Sequence, residues 1–225
     1  MKIIEPSFDI LRPRDKEEGI NQLRFIEQMA RISHRSEDLQ TDSSWERFIK
    51  FVVMTKGDWS VVEHAYATVV FRVDRGVTHE LVRHRLFSFT QESTRFVNYN
   101  KREVEVIQPH FPPAADDPVK RERYLYEWQG AISDAEDAYT NLIKDGLSPQ
   151  IARSVLPNAL AATIAVTGNL RNWRHLLIMR TTQETHPDFK RVMIPLLTIM
   201  QQRIPLLFDD IVPGQKQSEA LSKPR

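Results

Sequence analysis

A mixed α/β fold, with a sheet and helices packed around it in a single domain, is predicted by three features of this 225-residue chain. Residues 17–33 carry Ile20, Leu23, Ile26, Met29 and Ala30 at steps of three and four, the stripe of an amphipathic helix. Residues 65–74 alternate Val69, Phe71 and Val73 with Thr68, Val70, Arg72 and Asp74, the period-two, β-branched pattern of a strand. A long helix is expected over residues 119–145, where Gly146 stops it. The folded domain is expected to span residues 1–212.

The remaining elements follow in chain order. Residues 2–5 form a short opening strand. Ser43-Ser44-Trp45-Glu46 has the serine and glutamate spacing of a capping box, predicting a helix to residue 54. Gly57 ends that helix, with Lys56 near the negative end of its dipole. Gly76 turns the chain after the long strand, and Thr78 is placed to cap a short helix over residues 79–85. If that helix continued, Arg83 and Arg85 would point roughly 200° apart, whereas an extended chain puts them on one side, so the helix is expected to break there. A weak strand over 103–107 precedes a loop with Pro109, Pro112, Pro113 and Pro118 and the acids Asp116 and Asp117. Ser148-Pro149 restarts the chain as N-cap and first helical residue of a short helix that carries Arg153. Residues 159–167 are small and apolar and read as strand or buried helix.

The helix expected over 170–180 carries an apolar stripe of Trp173, Leu176 and Leu177, and Arg180 falls on that same stripe. A guanidinium directed inward needs a partner, because an unpaired buried charge costs several kcal/mol. Pro187 opens the last helix, and Pro195 is expected to kink it. From residue 213 the Gly, Gln, Lys, Ser and Pro composition predicts a disordered tail over 213–225.

Composition excludes several functions. The absence of cysteine removes disulfides, thiolate metal sites and every mechanism that attacks with a cysteine sulfur. A formal net charge of +1 leaves no global basic field for nucleic acid. The seven glycines form neither a dinucleotide fingerprint nor a phosphate loop, and the seven histidines show no metal-ligand spacing. His64 and His175 read as structural histidines or as ligands. The N-terminus lacks the apolar core of a signal peptide and no run of about 18 apolar residues occurs, so a cytoplasmic protein is expected.

Against that background residues 83–96 stand out, with Arg83, His84, Arg85, Ser88, Gln91, Ser93, Thr94 and Arg95 among few large apolar neighbours. Such a segment cannot be core, where charges are rarely buried unpaired. Arginine suits planar contact with phosphate or carboxylate, and Arg153, Arg171, Arg174 and Arg180 add to the set. A local anion pocket follows if these converge. A rival reading, stacking of single-stranded nucleic acid on Phe87, Phe89 and Phe96, is disfavoured by the near-neutral charge.

The pattern Arg83-His84-Arg85-x-x-Ser88-x-x-x-x-Ser93-x-Arg95 resembles the signature of the flavin-dependent thymidylate synthases. The resemblance extends to Arg31-x-Ser33, Glu63-His64, Ala152-Arg153-x-x-Leu156-Pro157, and the run from Thr167-Gly168-Asn169 through Arg171, Trp173, Arg174 and His175 to Met179-Arg180. It implies an enzyme that methylates dUMP to dTMP, taking the carbon from 5,10-methylenetetrahydrofolate and reducing equivalents from NADPH through bound FAD. The missing cysteine suits that chemistry, since cysteine-dependent synthases activate uracil with a thiolate. By resemblance, Ser33, Ser60, Arg83, His84, Arg85, Gln91, Asn169, Arg171 and His175 contact FAD. Glu80, Arg83, Gln91, Ser93, Arg95, Arg153 and Arg180 contact dUMP, with Ser93 and Arg95 near its phosphate. The resemblance implies that Arg180 is the catalytic residue, facing the uracil ring and favouring its ionised form. The resemblance also implies an antiparallel sheet and a homotetramer whose active sites are shared between subunits. Phe96, Thr90 and Asp58 depart from the family pattern, which leaves open a relative that binds flavin and nucleotide without turnover.

Overall fold

The computed structural model of the protein describes residues 2–97, 99, 104–111, 117–216 and 218–219. Two compact units are present: Met1–Ser7, Arg72–Leu81 and Thr90–Ile164 form the first, and Phe8–Phe71, Val82–Phe89 and Ala165–Arg225 the second. The boundaries at 71/72 and 164/165 fall inside strands.

Four strands form the larger sheet, in the order β2 (Ser7–Arg12), β3 (Tyr66–Asp74), β6 (Ala161–Asn169), β4 (Ser88–Gln91). The β3 and β6 strands run antiparallel, since their contacts pair Ala65 with Leu170, Thr68 with Thr167, and Arg72 with Thr163. In β3 the alternation predicts burial correctly: Ala67, Val69, Phe71 and Val73 are buried. The same holds for Ala162, Ile164 and Val166, which settles the ambiguous segment as strand. A second, two-stranded sheet pairs β1 (Lys2–Ile4) in parallel with β5 (Glu105–Ile107), at Lys2↔Glu105, Ile3↔Val106 and Ile4↔Ile107.

Helix α1 (Lys16–Ile32) starts where the Asp15 carboxylate accepts the Glu18 N–H at 2.8 Å. The helix expected to residue 54 is α2 (Ser44–Phe48) widened into a π-helical segment, Ile49–Thr55. Ser43 makes no side-chain cap, so the expected capping box is absent; Ser44 instead donates to the buried Glu27 carboxylate at 2.9 Å. Gly57, at φ 82°, ends the segment as its composition predicts. A 3-10 segment, Trp59–His64, leads into β3.

Helix α3 (Arg75–Leu81) begins directly after β3, earlier than expected, because the Asp74 carboxylate accepts the Val77 N–H at 2.8 Å. Thr78 is therefore inside the helix, its buried hydroxyl donating to the Arg75 carbonyl. The helix does stop before Arg83. Helix α4 (Pro118–Lys144) is capped by Asp117 and runs for 27 residues while burying only Ile132 and Tyr139. Helix α5 (Pro149–Ala152) passes into a 3-10 turn, Arg153–Val155. Helix α6 (Leu170–Arg180) is capped by Asn169, which accepts the Asn172 N–H at 2.8 Å. Helix α7 (Pro187–Arg203) starts at Pro187 and contains Pro195. At the start of the expected tail, Gly214 N–H donates to the Thr181 carbonyl at 2.8 Å and the Gln215 carbonyl accepts the Gln183 N–H at 3.0 Å. Glu103, Pro112, Pro113, Asp116 and residues 217 and 220–225 lie outside the described residues.

Each unit has its own apolar centre. In the first, Tyr99, Val106, Ile132, Tyr139 and Leu160 pack together. In the second, Trp173 is fully buried, donates its indole N–H to the Ala67 carbonyl at 2.9 Å, and forms a T-shaped pair with Phe87 at a centroid distance of 5.0 Å. Among the described residues no helix is long and apolar enough to cross a membrane.

Candidate active site

Within the second unit the structure joins His84 of the Arg83-His84-Arg85 triplet to Arg180 at the end of α6. Arg180 donates from Nε to His84 Nε2 at 3.0 Å, and its guanidinium lies 5.2 Å from the centroid of the buried Phe189 ring. A guanidinium can only donate, so His84 Nε2 must be the unprotonated nitrogen. The His84 pKa falls from 6.5 to about 4 because burial opposes its charge and because the Arg180 and His175 charges are close. His84 is thus a neutral acceptor that fixes the orientation of a permanent cation. His175 is exposed on the helix that carries Arg180, and its charge is felt at His84. The half-buried Arg180 matches the inward direction expected from the stripe on α6.

Arg83 and Arg85 flank His84 and are both exposed, pointing cations into solvent just beyond the end of α3. Phe87 holds this stretch down. A Cβ built on Gly168 would lie 2.3 Å from its ring, so only glycine lets β6 approach Phe87 this closely. Asn172 adds a side-chain hydrogen bond to the Leu86 carbonyl at 3.0 Å. Asn169 is engaged as the α6 cap, and Arg171 is ion-paired with Glu63, both half-exposed. Ser60 is exposed in the 3-10 segment; Ser33 is exposed and caps α1 by donating to the Ala30 carbonyl at 2.8 Å. Arg31, from the same motif, is held by Glu27 at 2.6 Å and lines a cavity of about 590 Å³ with Ser44, Arg47, Phe48, Lys50 and Phe51.

Within the first unit, Gln91, Ser93, Thr94, Arg95 and Arg153 form a second group. The Ser93 hydroxyl accepts the Arg95 N–H at 3.3 Å, and the Ser93 carbonyl accepts from Phe96 and Val97, making a tight turn. Its hydroxyl proton remains a donor. Arg153 donates to the buried Thr94 hydroxyl at 3.0 Å and so ties the turn to the residues after α5. Gln91 donates to Thr78 at 3.1 Å on α3, the helix that also carries the half-buried Glu80. Arg95 is exposed, stacked at 5.4 Å on the exposed Phe96.

Three features escaped sequence reasoning. Arg174, not Arg180, is the buried guanidinium of α6: it forms two 2.6 Å bonds to Asp210, a 2.7 Å bond to the Leu207 carbonyl, and lies 4.6 Å from the Trp59 ring centroid. Its distant partner after α7 leaves no local signal. Arg72, Glu92, Tyr99 and Glu105 form a half-buried network in the first unit; the position of Glu92 between Gln91 and Ser93 is the one hint of it. Phe189, under Arg180, is a third. Among the described residues no group of three or more His, Asp or Glu side chains is arranged to hold a metal ion.

Comparison with known proteins sets these residues in a family. The model described as "Thymidylate synthase complementing protein" matches residues 19–206. A flavin-dependent thymidylate synthase of Corynebacterium diphtheriae is 38% identical over 171 residues, covering 70% of this chain and 66% of that protein. One of Mycobacteroides abscessus is 35% identical over 177 residues, covering 73% of this chain and 69% of that protein. The match thus spans about two thirds of these relatives' length. The solved structure of PolB, a UMP/dUMP methylase from Streptomyces cacaoi bound with 5-Br dUMP, is similar with a TM-score of 0.74, covering 93% of this chain and 96% of that chain. At 22% sequence identity, that likeness concerns the fold alone.

Proposed function

This chain belongs to the family of flavin-dependent thymidylate synthases, and from that premise we propose that it converts dUMP to dTMP, with 5,10-methylenetetrahydrofolate as carbon donor and NADPH as reductant. The observation that carries the reading is the bond between Arg180 and the neutral His84 of Arg83-His84-Arg85. It holds a cation in a half-buried place with a fixed orientation, the arrangement that stabilises negative charge developing on a uracil ring without reorganisation during reaction.

The side chains of the second unit suit FAD. Exposed Arg83 and Arg85 offer forks to a pyrophosphate, and the polar ends of Asn169, Ser60, Ser33 and His175 supply further donors and acceptors. When bound, FAD would carry reducing equivalents from NADPH to the methylene carbon joined to uracil. The protein's own part is binding and polarisation. Arg180 faces the uracil and favours its ionised form. In the first unit Ser93 donates to the nucleotide phosphate and Arg95 neutralises it, with Arg153, Gln91 and Glu80 completing the nucleotide contacts. Ser93 acts as binder and not as nucleophile: its hydroxyl accepts the Arg95 N–H, and its proton is left to donate to a phosphate.

A homotetramer with shared sites accords with helix α4, whose 27 residues bury only two side chains and expose Val119 and Tyr126. No nucleic acid or membrane partner is needed, and a cytoplasmic location follows from the substrates. The test is anaerobic turnover by the purified protein with FAD, dUMP, 5,10-methylenetetrahydrofolate and NADPH. The reading requires dTMP to form and formation to be lost in Arg180→Ala. Bound flavin without dTMP would instead mark a relative that binds without turnover.

A further inference from the structure

The network around Glu92 has no part in the proposed flavin and nucleotide contacts, and Glu92 sits inside the segment that carries Gln91, Ser93 and Arg95. Glu92 Oε2 accepts from Arg72 Nη1 at 2.6 Å and from the Thr163 N–H at 3.2 Å, while Oε1 accepts from the Tyr99 hydroxyl at 3.3 Å. The Glu92 N–H in turn donates to the Thr163 carbonyl at 2.8 Å, extending the pairing of β4 with β6 by one residue. Every acceptor direction of this carboxylate that the structure fills is filled by a group on another segment. Arg72 is itself clamped, with Nη1 also reaching Thr163 Oγ1 at 2.9 Å and Nη2 reaching Glu105 Oε2 at 2.6 Å.

The charges hold this geometry. Burial works against the Arg72 cation, but its hydrogen bonds and charge contacts with Glu105 and Glu92 raise its pKa on balance. The Tyr99 phenol is pushed well above its ordinary value by burial and then by the Glu92 charge, so it remains a donor at every working pH. Lys2 lies 3.7 Å from the other Glu105 oxygen. The network is only about a quarter exposed, with side-chain exposures of 26% for Arg72, 20% for Glu92 and 28% for Glu105.

Extended chain sends consecutive side chains to opposite sides. Anchoring Glu92 from one side therefore fixes where Gln91 and Ser93 face, and the turn from Ser93 to Val97 begins at the anchored residue. We propose that Glu92, clamped by Arg72 and Tyr99, is the positioning residue that sets the Gln91, Ser93 and Arg95 side chains for nucleotide binding. This rests on the reading that those residues contact dUMP. It adds a role for Glu92, Arg72 and Tyr99 that is exerted through those residues.

The experiment is calorimetric titration of the purified protein with dUMP, alongside thermal unfolding. Glu92→Gln keeps the shape and removes the charge that Arg72 requires; it is expected to weaken dUMP binding by about tenfold, some 1.4 kcal/mol. Tyr99→Phe removes a single donor and keeps the ring, and should weaken binding about threefold with little loss of thermal stability. The double variant Arg72→Met with Glu92→Leu separates positioning from mere stapling. An apolar pair of similar volume removes both charges at once, and Glu105 keeps Lys2 as its ion-pair partner, so thermal stability should return toward that of the wild type. Under the proposal dUMP binding stays weak in this double variant. Recovery of binding together with stability would overturn it, as would unchanged binding in Glu92→Gln and Tyr99→Phe. If the wild-type protein binds no dUMP at all, the substrate reading itself fails, and the two failures are distinguished.

Discussion

The contact between Arg180 and His84 predicts a specific response of His84 to the loss of its neighbour. In the wild type the His84 pKa lies at about 4, down from 6.5, with burial as the first cause and the Arg180 charge as the second. Replacing Arg180 with alanine removes a unit charge whose Nε is 3.0 Å from the imidazole. Two charges about 4 Å apart interact by roughly 1 kcal/mol in a water-like medium and more in a drier one. Because His84 is half-exposed, the lower end applies, and about 1.4 kcal/mol corresponds to one pH unit. The His84 pKa in Arg180→Ala should therefore rise to about 5 and stop short of 6.5, since burial and His175 remain. Water entering the space of the lost side chain acts in the same direction. Carbon-detected NMR titration of labelled histidine Cε1, with His84 assigned by its replacement with glutamine, reads this directly. An unchanged or lower pKa in the variant would refute the contact. The linkage has a definite sign. The folded pKa is below the unfolded one, so between about pH 4 and 6.5 the unfolded chain binds more protons at this site. His84 therefore makes stability rise with pH across that window and contributes no slope above it, and in Arg180→Ala the window narrows from below.

Three further outcomes are expected. Gly168→Ala drives a Cβ into the Phe87 ring, 2.3 Å away before relaxation; overpacking of this kind costs about 1–3 kcal/mol, so thermal unfolding should show a Tm lower by roughly 2–12 °C, with weakened flavin binding because Phe87 supports residues 83–89. Asp210→Ala strands the buried Arg174 cation, which loses two 2.6 Å bonds. Allowing for the partial exposure of Asp210, the loss is about 3 kcal/mol, a fall of roughly 6–12 °C in Tm, and a much smaller fall would show that the pair is not the anchor of α6. Glu63→Ala breaks an ion pair exposed to 47% on both sides, so stability should change by no more than about 1 kcal/mol, and a change in flavin affinity measured by fluorescence would then report on Arg171 freed to move.

Local chemistry made much of this fold readable in the sequence. The α1 stripe, the β3 alternation, the Gly57 and Gly146 stops, the Ser148-Pro149 start and the bounds of α6 all depend on neighbours within a few residues, and the structure has them. Thr78 is not the cap that its position suggests, because Asp74, four residues earlier, offers a carboxylate to the Val77 N–H and starts the helix straight from the strand. The π-helical widening at Ile49–Thr55 was not legible, since side-chain periodicity does not distinguish it from an α-helix over one or two turns.

The candidate site divides in the same way. The inward direction of Arg180 follows from helix geometry, whereas its partner His84, 96 residues away, needed either the fold or the family resemblance. Arg174 was unreadable for a related reason: its aspartate comes 36 residues later, and nothing local marks a buried arginine from an exposed one. Strand alternation put Arg72 on the face away from the apolar centre, as it is, but could not show that Glu92 and Glu105 close over it.

Flavin binding and the activation of uracil by Arg180 can be tested together. The most direct measurement is the visible absorption spectrum of the purified protein supplied with FAD, followed anaerobically through addition of NADPH, dUMP and 5,10-methylenetetrahydrofolate with product analysis. The account predicts a bound flavin that is reduced and then reoxidised as dTMP appears, and an Arg180→Ala protein that still holds flavin but forms no dTMP. A protein that binds no flavin even in excess FAD, or an Arg180→Ala variant with undiminished turnover, would contradict it.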